Sequence, residues 1–361
     1  MPFDILIENK TSFTAGSIVQ LDADGQENFV VVLSASFSVS EDGAIVVAEE
    51  QVPVIFGDEP FRDGAFSSNR YEADIASHKP GVEVIVNGMA YAPGGKPVQE
   101  MQVGLRIGSV RKVLRVVGDR SLAMGSFSAP DPFVKMAIVY ERAFGGATAD
   151  GRVYEKNPVG IGFGKARSPD TTVTSEAPNI FYPTDNINSL ASQPRPAGFG
   201  VIGRGWQPRL KLAGTYDPHW IDTQWPLPPK DFDPRYNLCA PADQQMERLV
   251  GNDQVSLVGM TKNGRWDFRL PHVIAPVHLV YADRVEYERF IADTIIIEPD
   301  LSRVTLKSRF CRIIERIQPP LLAVVFGYVT PAYLLAMRKR KTHLPLGAAE
   351  RHTDDRPQWS Q

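Results

Sequence analysis

"FVVVLSASFSVSEDGAIVVAEEQVPVIF", residues 29–56, is two runs rich in β-branched and aromatic residues on either side of a polar turn that contains Gly43. Such side chains fit a pleated, half-buried surface, and the glycine supplies the turn, so the stretch predicts a β-hairpin. The same texture continues outward. "GVEVIVNGMAY" (81–91) and "VQEMQVGLRIG" (98–108) flank "APGGKP" (92–97), and "RKVLRVVGDR" (111–120) extends the sheet. "DQVSLVGM" (253–260) and "RWDFRLP" (265–271) enclose Asn263-Gly264, a strong hairpin signal, and "DTIIIEPD" (293–300) pairs with "RVTLKSRF" (303–310) around Asp300. Helical signals are few: "PADQQMERLV" (241–250), with Gly251 beyond its end, and "TPAYLLAMRKRK" (330–341), with Thr330 as N-cap and Pro331 at the first helical position. The expected fold is therefore mainly β: two packed antiparallel sheets, sandwich-like, drawn from both ends of the chain, with few helices.

Between Asn157 and Pro241 lie thirteen of the 29 prolines together with Trp206, Trp220 and Trp225. Proline removes ladder donors and fixes φ, while the aromatics argue against disorder, so a long ordered loop region over the sheets is predicted. The uncharged run "LLAVVFGYVTPAYLLAM" (321–337) is short for a membrane span and is broken by Thr330-Pro331. A buried strand followed by a helix accounts for it better. The expected organisation is a β-rich domain over 1–318, a strand-helix appendage over 319–345 and a flexible tail over 346–361.

The 361 residues carry a net charge of −3, with 43% hydrophobic residues, which suits a globular protein and disfavours general nucleic-acid or membrane-surface binding. Charge is uneven: the first 60 residues hold eleven acids against Lys10 alone. Two cysteines, Cys239 and Cys311, are too few for a disulfide framework, and "MPFDILIENK" lacks the basic start of a secretory signal. A cytoplasmic protein is expected.

Glycine-rich segments raise the question of a nucleotide site. In "ERAFGGATADGRVYEKNPVGIGFGKAR" (141–167), Val159 and Ala166 stand where a phosphate loop needs glycine and a hydroxyl, and "GFGVIG" (198–203) is flanked by proline-containing segments instead of a strand and a helix. No HExxH or GxSxG motif occurs, and His272 and His278 lack partners at ligand spacing, so they read as structural. No cofactor, metal or catalytic residue is expected.

Those same glycines belong to a set of motifs that resembles a bacterial family, the type VI secretion accessory proteins known as domain of unknown function 2169. The likeness runs through "YERAFGG" (140–146), "NPVGIGF" (157–163), "PAGFGVIGRGWQPRLKLAGTYDPHW" (196–220) and "PLPPKDFDPRYNLCAPADQQ" (226–245). It extends to "SSNRYEADIASHKPGVEVIVNGMAYAPGGKPV" (67–98), "LRVVGDR" (114–120) and "DTIIIEPDLSRVTL" (293–306), about residues 1 to 310 in all. One departure is Gln224, where a basic residue is expected. The resemblance implies an adaptor that binds a secreted effector, fused to or paired with a PAAR-repeat protein, and promotes its loading onto the VgrG spike. It would be non-enzymatic, without nucleic-acid binding or membrane insertion. Two rival classes remain: a hydrolase using an Asp/Glu pair, and a carbohydrate or cell-wall module using exposed tryptophans.

For the partner surface, the helix after Thr330 offers Tyr333, Leu334, Leu335 and Met337 as an apolar face, with Arg338 and Arg340 in a basic cluster able to steer an acidic partner. The second candidate surface is the glycine- and tryptophan-rich region: Arg142, Phe144, Trp206 and Trp225. The glycines of 141–164 would serve sharp turns and close backbone approach, with Arg142 pairing a carboxylate to hold the loop.

Overall fold

The computed structural model describes residues 5–64, 67–123, 126–164, 175–273, 275–289, 291–314 and 319–341. The protein is mainly β, with 38% strand and 11% helix, and among the described residues none of its several sheets closes into a barrel. The chain divides into two compact units.

The larger unit comprises 12–273 and 291–314. Its main sheet is ordered Gln245–Met246, Val82–Val86, Thr294–Glu298, Arg303–Ile313, Glu27–Val39, Thr14–Leu21, with Ile45–Val47 also paired to Glu27–Val39. Glu27–Val39 and Arg303–Ile313 are thus neighbours, antiparallel from Asn28 opposite Ile313 to Ser38 opposite Arg303, so both ends of the sequence do build one sheet. The hairpin of 29–56 forms as expected, but its second strand is only Ile45–Val47. Gly43 turns it with φ +86°, and a Cβ there would stand 2.3 Å from the Asp267 carbonyl oxygen.

A five-stranded antiparallel sheet of the same unit is ordered Ile180–Phe181, Val110–Val117, Glu100–Ile107, Gln254–Val258, Arg265–Arg269. The Asn263-Gly264 hairpin and the pair closing around Asp300 are both present. Three expectations change. Val82–Val86 and Glu100–Ile107, on either side of "APGGKP", lie in different sheets. Val82–Val86 and Thr294–Glu298 are parallel, which the long intervening chain allows. "PADQQMERLV" forms only a 3₁₀ turn, Ala242–Gln244, before the strand Gln245–Met246. The Gln244 amide donates to the carbonyls of Val84 (2.6 Å) and Phe199 (2.8 Å), which ties the chain to the sheet and prevents a helix.

Buried charges cross-link this sheet. Lys307, fully buried, donates to Asp74 at 2.6 Å, and Arg309 meets Asp293 at 2.7 Å. Glu83, also fully buried, pairs with Lys79 and accepts from the backbone N–H groups of Cys239 (2.5 Å) and Ala240 (2.8 Å). Burial alone would raise its carboxyl; Lys79 and those donors hold it below the ordinary glutamate value.

Among the described residues, the smaller unit comprises 5–11, 275–289 and 319–341. Its sheet is ordered Leu6–Asn9, Leu321–Phe326, Val277–Tyr281, Val285–Glu288, with the first pair parallel. Five of the six residues of Leu321–Phe326 are buried, on both faces of the strand, which is why it reads as an unbroken apolar run. The expected division at 318/319 is therefore not where the compact units part: the strand of the supposed appendage pairs with Leu6–Asn9 and Val277–Tyr281. The predicted tail, 346–361, lies outside the described residues. The helix spans Pro331–Arg338, capped by Thr330 Oγ1 accepting from the Tyr333 amide at 3.2 Å. No helix among the described residues is long and apolar enough to cross a membrane.

Candidate functional site

The helix Pro331–Arg338 does not present the apolar face that its sequence suggests. Leu334 is buried with Val280, Ala323 and Val325, and Tyr333 and Met337 lie against that cluster. Tyr333 also donates its hydroxyl to Glu8. Of the four apolar candidates only Leu335 is exposed, beside a half-buried Arg338 and an exposed Arg340. Residues at i, i+1 and i+4 of one short helix cover the helix's own sheet, so a broad partner-binding face is not available there.

Within the glycine stretch at 141–164, residues 143–146 and Asn157 are turned inward, while 149–153 are exposed. Phe144 is 2% exposed and packs with Leu122 and Leu190, its ring 5.1 Å from that of Tyr154. Asn157, fully buried, donates through Nδ2 to the carbonyls of Tyr140 (2.8 Å) and Phe144 (3.1 Å). Gly146, at φ +101°, leaves no room for a side chain, since a Cβ would stand 2.3 Å from the Gly160 carbonyl oxygen. Arg142 pairs with Asp119 at 2.8 Å and with the Asn179 side chain at 3.1 Å, the carboxylate role expected of it. Residues 165–167 of the quoted stretch lie outside the described residues.

The tryptophans separate. Trp206 is 9% exposed and edge-on to Tyr140, with ring centroids 5.4 Å apart. Trp220 is half-buried and donates Nε1–H to the Leu227 carbonyl at 3.0 Å. Trp225 is 67% exposed. A stacking row of three tryptophans is therefore not formed.

Trp225 sits in the candidate site, a loop over 214–231. Its frame is built from local polar contacts. Asp217 caps the short helix Pro218–Thr223 by accepting from the Trp220 amide at 2.8 Å, and Asp231 holds the Thr215 amide (3.0 Å) and hydroxyl (2.7 Å). The Tyr216 and Trp220 rings meet edge to face at 4.7 Å. Gln224, the departure from the expected basic residue, donates through Nε2 to the carbonyls of Ala23 (2.7 Å) and Pro228 (2.9 Å). Two donors to two carbonyls is a task within reach of either an amide or a cationic side chain. Lys230 adds an ion pair to Asp24 at 2.7 Å. The loop is thereby fastened to the turn that joins strands Thr14–Leu21 and Glu27–Val39.

This frame displays what is normally hidden. Tyr216 (57%), Ile221 (60%) and Trp225 are exposed on the loop, and Val19 (49%) and Leu21 (46%) are exposed on the adjoining strand. Exposed large apolar side chains on an ordered support are one mark of an interaction surface. Sequence reasoning found Trp225 but missed Tyr216, Ile221 and the strand; the lack of any charge in "TAGSIVQL" (14–21) was the available signal.

A second cluster is polar and inward. Lys112, 3% exposed, donates to Asp243 Oδ1 and Gln244 Oε1, both at 2.8 Å, and stands 5.5 and 5.4 Å from the ring centroids of Tyr182 and Phe199. Burial pushes its ammonium down to about 8, against the opposing pull of Asp243. Its place in the alternating strand Val110–Val117 is an inward one, where the pattern calls for an apolar residue. Among the described residues no group of three or more His, Cys, Asp or Glu could hold a metal ion.

Residues 24–309 match the family described as "Uncharacterized protein conserved in bacteria (DUF2169)". No curated protein and no solved structure matches the chain.

Proposed function

The chain belongs to the DUF2169 family, and on that premise we propose that it is a non-enzymatic adaptor that binds another protein through the surface around Trp225. The partner class comes from the motif resemblance: a type VI secretion effector carrying or accompanied by a PAAR-repeat protein, delivered to the VgrG spike. The observation that carries the binding reading is the loop 214–231, in which Tyr216, Ile221 and Trp225 are exposed on a frame hydrogen-bonded through Asp217, Gln224 and Asp231. Rigid aromatic groups lose little conformational entropy on association, so an ordered scaffold that displays them suits binding better than turnover.

The test is affinity capture of the tagged protein from its native cell, with mass spectrometry of the eluate. A PAAR protein or VgrG is expected with the wild type and not with Ile221→Asp/Trp225→Asp. An eluate lacking both proteins, from tagged protein that is folded, overturns the assignment to type VI secretion. Retention of the partner by the double variant overturns the choice of surface.

A further inference from the structure

We propose that strand Thr14–Leu21 is an acceptor edge that takes an extended segment of the partner as an added β-strand, uncharged along its middle and basic at its ends. This rests on the adaptor reading above and names the partner's chemistry. Among the described residues Thr14–Leu21 is the terminal strand of the main sheet, paired on one side only, with Thr14 opposite Ser34 through Leu21 opposite Glu27. Sheet edges are ordinarily guarded by lysine, inward charge, proline or shortness. This strand runs eight residues without a charge or a proline. At about 3.4 Å per residue it offers an edge roughly 27 Å long.

The edge is also stiff. Ile18 packs with Val30, Val32 and Val54, and the Gly16 backbone is covered by Val54 and Phe56, which fixes the strand's inner face and its register. A preformed edge spares the ordering cost that weakens strand addition. On the other face Val19 and Leu21 remain half-exposed, and Val46 and Val47 are exposed on the short strand that continues along the same side of Glu27–Val39.

Charge selects the occupant. Glu27 lies at the turn end of the edge, and Glu49 and Glu50 follow the strand Ile45–Val47 near the Thr14 end; all three are exposed and, among the described residues, none has an ion pair. A second copy of this chain, pairing edge to edge about a two-fold axis, would bring Glu27 of one copy toward Glu49 and Glu50 of the other. Like charges so placed oppose self-pairing. A strand flanked by Lys or Arg meets opposite charge at both ends.

The probe is a fluorescein-labelled peptide with three Thr-Val repeats between two pairs of lysines, titrated by anisotropy against the full chain. Its counterpart has glutamates in place of the lysines, and a third version has every backbone amide of the repeats N-methylated, so that neither edge can donate. Binding of the lysine peptide at least tenfold tighter than either of the others is expected. Val19→Lys/Leu21→Lys, checked for native circular dichroism, should weaken it at least tenfold, and Glu49→Lys/Glu50→Lys should erase the preference between flanks. Equal binding of the methylated peptide, or an unaffected Val19→Lys/Leu21→Lys variant, overturns the proposal. Should Val19→Lys/Leu21→Lys misfold, Ser17→Lys takes its place under the same criterion. The two proposals fail separately: a native partner still captured by the edge variant sinks the edge alone, whereas no secretion protein captured by the wild type sinks the adaptor reading.

Discussion

Residues 141–164 and 214–231 are both segments of turn-forming residues with interspersed aromatics, glycine-rich in the first and proline-rich in the second, and the fold uses them in opposite senses. In the first, Phe144 and Asn157 are buried and Gly146 is pressed against a neighbouring carbonyl. In the second, the polar side chains are spent on the loop's own frame and Tyr216, Ile221 and Trp225 are left outside. The difference lies in where the hydrogen bonds go. Asn157 reaches inward to Tyr140 and Phe144 carbonyls, so the aromatic rings follow it into the core. Asp217, Gln224 and Asp231 bond to backbone within the loop or at its rim, so the rings are not drawn in. An inward loop should be sensitive in stability and an outward one in binding.

The largest effect on stability is expected at the inward loop. Gly146→Ala combines an unfavourable positive φ with a clash against the Gly160 backbone, which cannot swing aside. The loss should be about 3 kcal/mol or more, read by chemical denaturation. A loss under about 1 kcal/mol would mean that the loop is loosely held and would dissolve the contrast.

Next comes pH, through the buried Lys112, whose neighbours Phe199 and Gln244 lie outside both loops. Below pH 8 the folded and unfolded states both bind its proton. Between about 8 and the ordinary lysine value of 10.5 the folded state has lost that proton while the unfolded chain keeps it, so stability rises with pH. The contribution of Lys112 from pH 7 to 10 should be a gain of about 2 kcal/mol, read as the difference between the wild type and Lys112→Met, because burial raises the thiols of Cys239 and Cys311 and these oppose the gain as unfolded cysteine ionises. Above pH 10 Tyr71 and Tyr182 add to that opposition, their phenols raised by burial first and then by Glu298 and Asp243 respectively, while unfolded tyrosine ionises.

Much of the sheet was legible. Asn263-Gly264, the 293–310 hairpin and the capped helix at Thr330 carry local signals strong enough to fix them from a few residues. What stayed hidden depended on distant partners. Nothing near Val82–Val86 says that it lies parallel to Thr294–Glu298, and nothing in "PADQQ" says that Gln244 bonds Val84 and Phe199 instead of continuing a helix. The candidate site was half legible. Trp225 was singled out, but so were Phe144, Trp206 and Leu334, which composition could not distinguish from it because burial is decided by tertiary neighbours.

A smaller effect should come from the frame of the outward loop. Gln224→Ala removes two donors and leaves the Ala23 and Pro228 carbonyls to water, at about 1 kcal/mol. Gln224→Arg should keep most of that stability, since a guanidinium can also reach two carbonyls. If Arg were as harmful as Ala in thermal melts, the equivalence of amide and basic residue at this position would be wrong.

The smallest effect on stability, and the sharpest separation of the two loops, is expected at Trp225. Its side chain is mostly in water, its backbone amide bonds to the Trp220 carbonyl at 2.9 Å whatever side chain it carries, and the frame around it is made by other residues. Trp225→Ala should therefore change unfolding free energy by no more than about 0.5 kcal/mol, within the range of ordinary surface substitutions. Partner capture should nevertheless fall at least tenfold, because an exposed tryptophan on a rigid loop is the kind of residue on which binding energy concentrates. The decisive measurement is both quantities on one preparation. Loss of binding with unchanged stability places Trp225 in the interface; loss of both would make it part of the fold, and the contrast between inward and outward loops would then fail at its most exposed residue.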